Sequence, residues 1–252
     1  MRDRFVIANL KMQWSGVDEA KMYLHFFAHH PEQVNSRVQI VLCGSFPFLE
    51  RMRLTAPEEV AIGAQDVFWD DKGAYTGNVS APMLRSIGVD YVILGHSERR
   101  IYNEETDADV LQKVVAALRA GLIPILCVGE TKEEREAEKT NEVLQKQLLI
   151  LKEVDWSRQT VLPIIAYEPR WAVGGQQTPS REEIVMASGA IRSTLDDIFS
   201  ERISQIKVLY GGSVSQENVR EVSVGAGLDG ILVGRVSLRP EILASLAESL
   251  EK

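Results

Sequence analysis

"VLPIIAY", Val161 to Tyr167, is an apolar stretch of strand length that ends on an acid, Glu168, and a second proline, Pro169. A continuous apolar run of this length suits a strand covered on both faces, as in a parallel sheet. Seven more runs of the same kind recur along the chain. They are "FVIA" from Phe5, "VQIVLC" from Val38, "VAIGA" from Val60, "YVILG" from Tyr91, "IPILCVG" from Ile123, "IKVLY" from Ile206 and "GILVG" from Gly230. Helical patterns separate most of them. "DADVLQKVVAALRAG" carries apolar residues at Val110, Leu111, Val114, Val115 and Leu118 and stops at Gly121. "KEEREAEKTNEVLQKQLLILKEV", from Lys132, starts highly charged and gains an apolar stripe at Leu144, Leu148 and Leu151. Its charge run reads as a solvated helix face. "SREEIVMASGAIRSTLDDIF", from Ser180, reads the same way. Eight βα units without a linker predict a single α/β domain over residues 1–252, a (β/α)8 barrel. A doubly wound open sheet is the runner-up, but no switch point or Gly-rich dinucleotide turn marks it.

Bulk properties narrow the function classes. The chain has 252 residues, 45% of them hydrophobic, enough for one large core. Its net charge of −8 argues against nucleic acid or an anionic membrane as partner. An anionic substrate would therefore need a local positive site. Cys43 and Cys127 sit inside apolar runs and form no CxxC or Cys/His spacing. That argues against a zinc site and a disulfide, and for a reducing cytoplasm. The opening "MRDRFVIANL" holds too short an apolar run for a signal peptide, and no segment approaches a membrane span.

In a (β/α)8 barrel the working residues lie where strands end. The residues there are Asn9 and Lys11 after the first run, and His96, Ser97 and Glu98 after the fourth. Cys127, Gly129 and Glu130 belong to the end of the fifth, and Glu168 to the sixth. Gly211, Gly212 and Ser213 follow the seventh, and Gly234 and Arg235 the eighth. Taken singly, each has a plain explanation: a solvated lysine, a hydrogen-bonded histidine, a glycine turn. Together they give a cation, an imidazole, an acid and two glycine turns at one rim. The turns after strands seven and eight are where this fold holds phosphate with backbone N–H groups. His25, His29 and His30 read as residues of a surface helix.

The segments "ANLKM", "GAYTG", "LGHSERR", "PILCVGE", "YEPRWAVG", "LYGGSV" and "DGILVGRVSL" follow in order from the first strand to the eighth. In this the chain resembles the triosephosphate isomerase family. The resemblance implies a TIM barrel that interconverts dihydroxyacetone phosphate and D-glyceraldehyde 3-phosphate through an enediol(ate), as in glycolysis and gluconeogenesis. It implies no cofactor and no metal. By motif, Glu168 is the base, His96 the electrophile that polarises the carbonyl, and Lys11 the charge beside the oxyanion. The glutamate base and neutral histidine are the pairing for which this family is known. Asn9 lines the same pocket, and backbone amides near Gly174, Ser213, Gly234 and Arg235 hold the phosphate. Glu98 and Cys127 support the site. Thr76 is expected to reach from its loop into a neighbour's site, so a homodimer is expected. The stretch from about Pro169 to Thr178 is expected to form a lid that excludes water.

Four departures from the family pattern stand out. Gln13 replaces an asparagine after "KM", and Asn78 replaces the glutamate after "GAYTG" that helps an arginine, here Arg99, pair at the dimer contact. Arg235 replaces the second glycine of a pair, and "GGQQTPS" replaces a lid richer in glycine and small residues, with Gln176 at the second loop glycine. In the family, the tyrosine of "YGGS", here Tyr210, pins the closed lid through a backbone N–H at the far hinge. Without gaps that position is Pro179, which has no N–H. Thr178 and Ser180 are the nearest substitutes, but a lid held less tightly is expected. Alternative functions are an isomerase of a four-carbon ketose phosphate such as erythrulose phosphate, a non-catalytic barrel that binds phosphorylated metabolites, and a Schiff-base aldolase. The set Lys11, His96 and Glu168 argues against the binding barrel, and the motif around Lys11 is not an aldolase one.

Overall fold

The computed structural model describes residues 4–34, 37–172 and 178–251. Eight strands form: β1 (Arg4–Asn9), β2 (Val38–Gly44), β3 (Ala61–Ala64), β4 (Tyr91–Leu94), β5 (Ile123–Val128), β6 (Ile164–Tyr167), β7 (Lys207–Tyr210) and β8 (Gly230–Val233). They pair in sequence order into a closed barrel. Every pairing is parallel, from β1 with β2 round to β8 with β1. The α-helices are α1 (Val17–His29), α2 (Leu49–Thr55), α3 (Ala81–Ser86), α4 (Ser97–Tyr102), α5 (Asp107–Arg119), α6 (Lys132–Glu136), α7 (Thr140–Leu149), α8 (Arg181–Phe199), α9 (Val219–Val222) and α10 (Pro240–Glu251). Among the described residues, no helix is long and apolar enough to cross a membrane.

The unbroken apolar runs serve two cores, because successive side chains on a strand point to opposite faces. Ile7, Val41, Cys43, Ile93, Ile125, Cys127, Ala166, Leu209 and Leu232 belong to a cluster built from strands alone, the barrel interior. Their strand neighbours Val6, Ala8, Ile40, Leu42, Val92, Leu126, Ile165, Val208 and Ile231 pack outward with helix residues such as Leu24, Phe27, Val114, Leu144 and Ile191. The seam is tight at Gly230, φ 153°, where a Cβ would lie 2.0 Å from the Phe5 carbonyl oxygen. Only glycine lets β8 approach β1 there.

Two local expectations change. Strand β6 begins at Ile164, after Pro163, so the first part of "VLPIIAY" lies outside it. The charged stretch from Lys132 is two helices, α6 and α7, separated at Glu138, whose φ is 58°. A left-handed residue interrupts helical hydrogen bonding. Side-chain caps at Thr106, Thr131 and Ser180 start α5, α6 and α8.

Candidate active site

Lys11 follows β1 with φ 51°, a conformation rare outside glycine. Side chains hold it there. Lys11 N–H donates to Asn9 Oδ1 at 3.1 Å. Its carbonyl accepts from Ser45 Oγ at 3.0 Å and from Gln65 Nε2 at 3.1 Å. Lys11 Nζ lies 2.5 Å from Glu98 Oε1. Ser45 and Gln65 escaped the sequence reading, because a residue that holds another's backbone carries no motif of its own.

His96 caps the N-terminus of α4, and its Nδ1 accepts the Glu98 N–H at 3.2 Å. Only an unprotonated ring nitrogen can accept, so this bond leaves a neutral imidazole with its proton on Nε2. Nε2 is 3.2 Å from Glu168 Oε1, and both residues are buried. Glu168 Oε2 accepts the Ser97 N–H at 3.3 Å. Glycine makes room for the acid: a Cβ on Gly211 would lie 2.6 Å from Glu168 Cγ.

A cavity of about 480 Å³ joins these groups at the C-terminal ends of the strands. Asn9, Lys11, His96, Glu98, Glu168, Ser213, Gly234 and Arg235 all line it. Gln13 lines it too. Cys127 lies in the barrel interior, its thiol pushed well up by burial and then by the neighbouring Glu168 carboxylate. Thr76 is exposed on the loop after β3 and does not line the cavity. Gly174, Gln176 and the centre of the expected lid, residues 173–177, lie outside the described residues.

Tyr210 packs in the layer between strands and helices, fully buried, and its hydroxyl has no partner among the described residues. Pro179 is buried as well. Among the described residues this hydroxyl therefore has no hydrogen bond to lose. Tyr210→Phe is therefore expected to change kcat/KM by less than about threefold, against the roughly tenfold that a lost neutral bond of about 1.5 kcal/mol can reach. Steady-state kinetics with a thermal melt checks this; a tenfold loss with the fold intact would show that the hydroxyl has a working partner.

Behind the His96 turn lies a charge cluster. Arg99 Nη2 is 2.8 Å from Asp66 Oδ2, and Arg99 Nε is 3.1 Å from Glu105 Oε1. Lys113 Nζ is 2.7 Å from Asp66 Oδ1 and also pairs with Glu105. Glu105 Oε2 accepts the N–H of Gly95, the residue before His96, at 3.1 Å. Arg99 thus has two carboxylates from its own chain, while Asn78 is exposed. A signal for this cluster was present: Lys113 shares the buried face of α5 with Val110, Val114 and Ala117, where a lysine needs an acid. Val115, read as part of that apolar stripe, is instead 40% exposed.

Comparison with known proteins gives the family. The sequence profile of the family described as triosephosphate isomerase matches residues 4–250. The chain belongs to the triosephosphate isomerase family. It is 41% identical to the triosephosphate isomerase of Moorella thermoacetica over 240 residues, 94% of this chain and 95% of that one. It is also 41% identical to the triosephosphate isomerase of a Synechocystis species over 248 residues, 98% of each chain. The crystal structure of triosephosphate isomerase from Bartonella henselae superposes with a TM-score of 0.86 at 33% identity, covering 99% of this chain and all of that one.

Proposed function

We infer that this chain is a triosephosphate isomerase, interconverting dihydroxyacetone phosphate and D-glyceraldehyde 3-phosphate, a glycolytic step. The single observation that most supports the roles within the cavity is the Glu98 N–H bond to His96 Nδ1, which leaves a proton on Nε2, 3.2 Å from Glu168 Oε1. A neutral Nε2–H can donate to a substrate carbonyl, and the carboxylate beside it can take a proton from the adjacent carbon. Lys11 stabilises the charge that develops on the oxygen, from a backbone held in place before substrate arrives. The N–H groups near Ser213, Gly234 and Arg235 hold the phosphate. Burial of His96 and Glu168 keeps water from the reacting pair.

The protein works as a homodimer in the cytoplasm. Met12 (90% exposed), Tyr75, Met83, Ile101 and Tyr102 (79%) are large apolar side chains left in solvent on segments that follow β1, β3 and β4. Such a set asks for cover, and a second copy also gives the exposed Thr76 loop a place to dock. Cys43 and Cys127 are free thiols, consistent with a reducing compartment.

The experiment is a coupled assay with D-glyceraldehyde 3-phosphate beside erythrulose phosphates, with inorganic phosphate added in a second series. Turnover of the triose phosphate is expected to exceed that of the four-carbon compounds. Phosphate is expected to compete and to raise Tm, by about 2.7 kcal/mol of stability at 100 times its Kd. Preference for the four-carbon substrates would overturn the substrate assignment. No inhibition and no Tm shift would overturn the phosphate site.

A further inference from the structure

Among the described residues, four charged side chains line the cavity besides the neutral His96: Lys11, Glu98, Glu168 and Arg235. Lys11 Nζ is 2.5 Å from Glu98 Oε1, so the two charges offset each other in the lining. Glu168 adds a second negative charge. Without Arg235 these side chains would carry a net negative charge, inside a chain of net charge −8. That field opposes the approach of a phosphate dianion. Arg235 brings the lining to balance and adds a planar fork of donors suited to phosphate oxygens.

Its place in the fold is fixed. Strand β8 ends at Val233, and a Cβ on Gly234 would lie 2.9 Å from Lys11 Cε, so this turn rests against the lysine stem. The buried Ser237 donates to the Gly234 carbonyl through Oγ at 2.6 Å and through N–H at 2.9 Å. Tyr23 OH in turn donates to the Ser237 carbonyl at 2.5 Å. Arg235 therefore starts from an anchored backbone, is itself exposed, and lines the cavity beside Ser213 and Gly234.

We propose that the Arg235 guanidinium is a binding group for the substrate's phosphate dianion, added to the backbone amides, and that it draws anionic ligands into the cavity. This rests on the reading of the cavity as a phosphorylated-triose site. The group binds reactant, transition state and product through the same distant phosphate. It therefore lowers KM and leaves the chemical step nearly untouched.

The test compares wild type with Arg235→Ala and Arg235→Lys, each checked for an unchanged melt. For Arg235→Ala, KM for D-glyceraldehyde 3-phosphate is expected to rise about tenfold while kcat falls less than about threefold. The Kd of inorganic phosphate, read by calorimetry, should rise in parallel, and kcat/KM should depend less steeply on ionic strength. Arg235→Lys should recover part of both losses. In Arg235→Ala, the loss of kcat/KM on unphosphorylated D-glyceraldehyde should be well below the loss on the triose phosphate. Unchanged KM and phosphate Kd in Arg235→Ala would overturn the proposal, as would an equal loss on unphosphorylated glyceraldehyde. A wild type that fails to isomerise the triose phosphate would overturn the functional reading instead, and phosphate calorimetry would still decide the role of Arg235.

Discussion

Glu168→Gln is expected to lose roughly 10³-fold in kcat, within the 10²–10⁴ that a positioned general base contributes, while the fold and phosphate binding survive. The reason is local. Glutamine fills the same volume beside Gly211, whose missing Cβ leaves room for the Glu168 side chain. Yet an amide cannot take a proton from carbon. One oxygen accepts the Ser97 N–H and the other lies 3.2 Å from His96 Nε2. The amide oxygen can keep the Ser97 N–H bond, and Oε1 has no hydrogen-bond partner to lose among the described residues. The Tm is therefore expected to stay close to that of wild type while kcat falls. Measuring kcat and the phosphate-induced Tm shift on one preparation separates base loss from site collapse. Turnover within a few-fold of wild type would remove Glu168 from the role of base.

The barrel was legible because each strand carries two cores. A run such as "VQIVLC" is apolar at every position but Gln39, since Val41 and Cys43 face the barrel interior while Ile40 and Leu42 face the helices. Most of the site was legible for a related reason: a residue that ends a barrel strand lies at the rim, whatever its side chain. Asn9, His96, Glu168, Ser213 and Gly234 were found this way and converge on one cavity. Long-range contacts were not legible. Nothing in the local sequence of Gln65 announces that its side chain donates to the Lys11 and Cys43 carbonyls. Nor does Asp66 announce that it meets Arg99 and Lys113, which lie far along the chain on α4 and α5. Asn78 removes the acid expected to help Arg99 pair at the dimer contact, but closure of the barrel was needed to bring Asp66 and Glu105 to Arg99.

That cluster carries the second large expectation. Glu105→Gln is expected to destabilise the protein by about 3–5 kcal/mol at neutral pH, the range for breaking one partner out of a buried ion pair. The Glu105 side chain is 3% exposed and Lys113's is 5%, so the cation keeps only Asp66, at 2.7 Å, and cannot turn to water. The amide oxygen can still accept the Gly95 N–H, so the change removes charge more than shape. Asp66→Asn is expected to cost far less, about 1 kcal/mol or below, although Asp66 meets the same two cations. The two carboxyls titrate in opposite senses. Burial pushes Glu105 up, but the charge of Lys113 and bonds from Lys113 and Arg99 outweigh it, and its pKa ends below the ordinary value. Burial wins at Asp66, whose pKa ends above the ordinary value despite Lys113 and Arg99. Glu105 therefore contributes stability that is full above its unfolded pKa, near ~4.3, and fades as pH falls through its lower folded value. Ionised Asp66 subtracts stability once pH rises past its raised folded value, and asparagine removes that penalty. Urea unfolding of both variants at pH 7 and near pH 4 decides the matter. The deficit of Glu105→Gln should shrink at the lower pH. Equal costs for the two variants at pH 7, or a Glu105→Gln deficit that does not shrink in acid, would show that the cluster is not held together by the Glu105 charge.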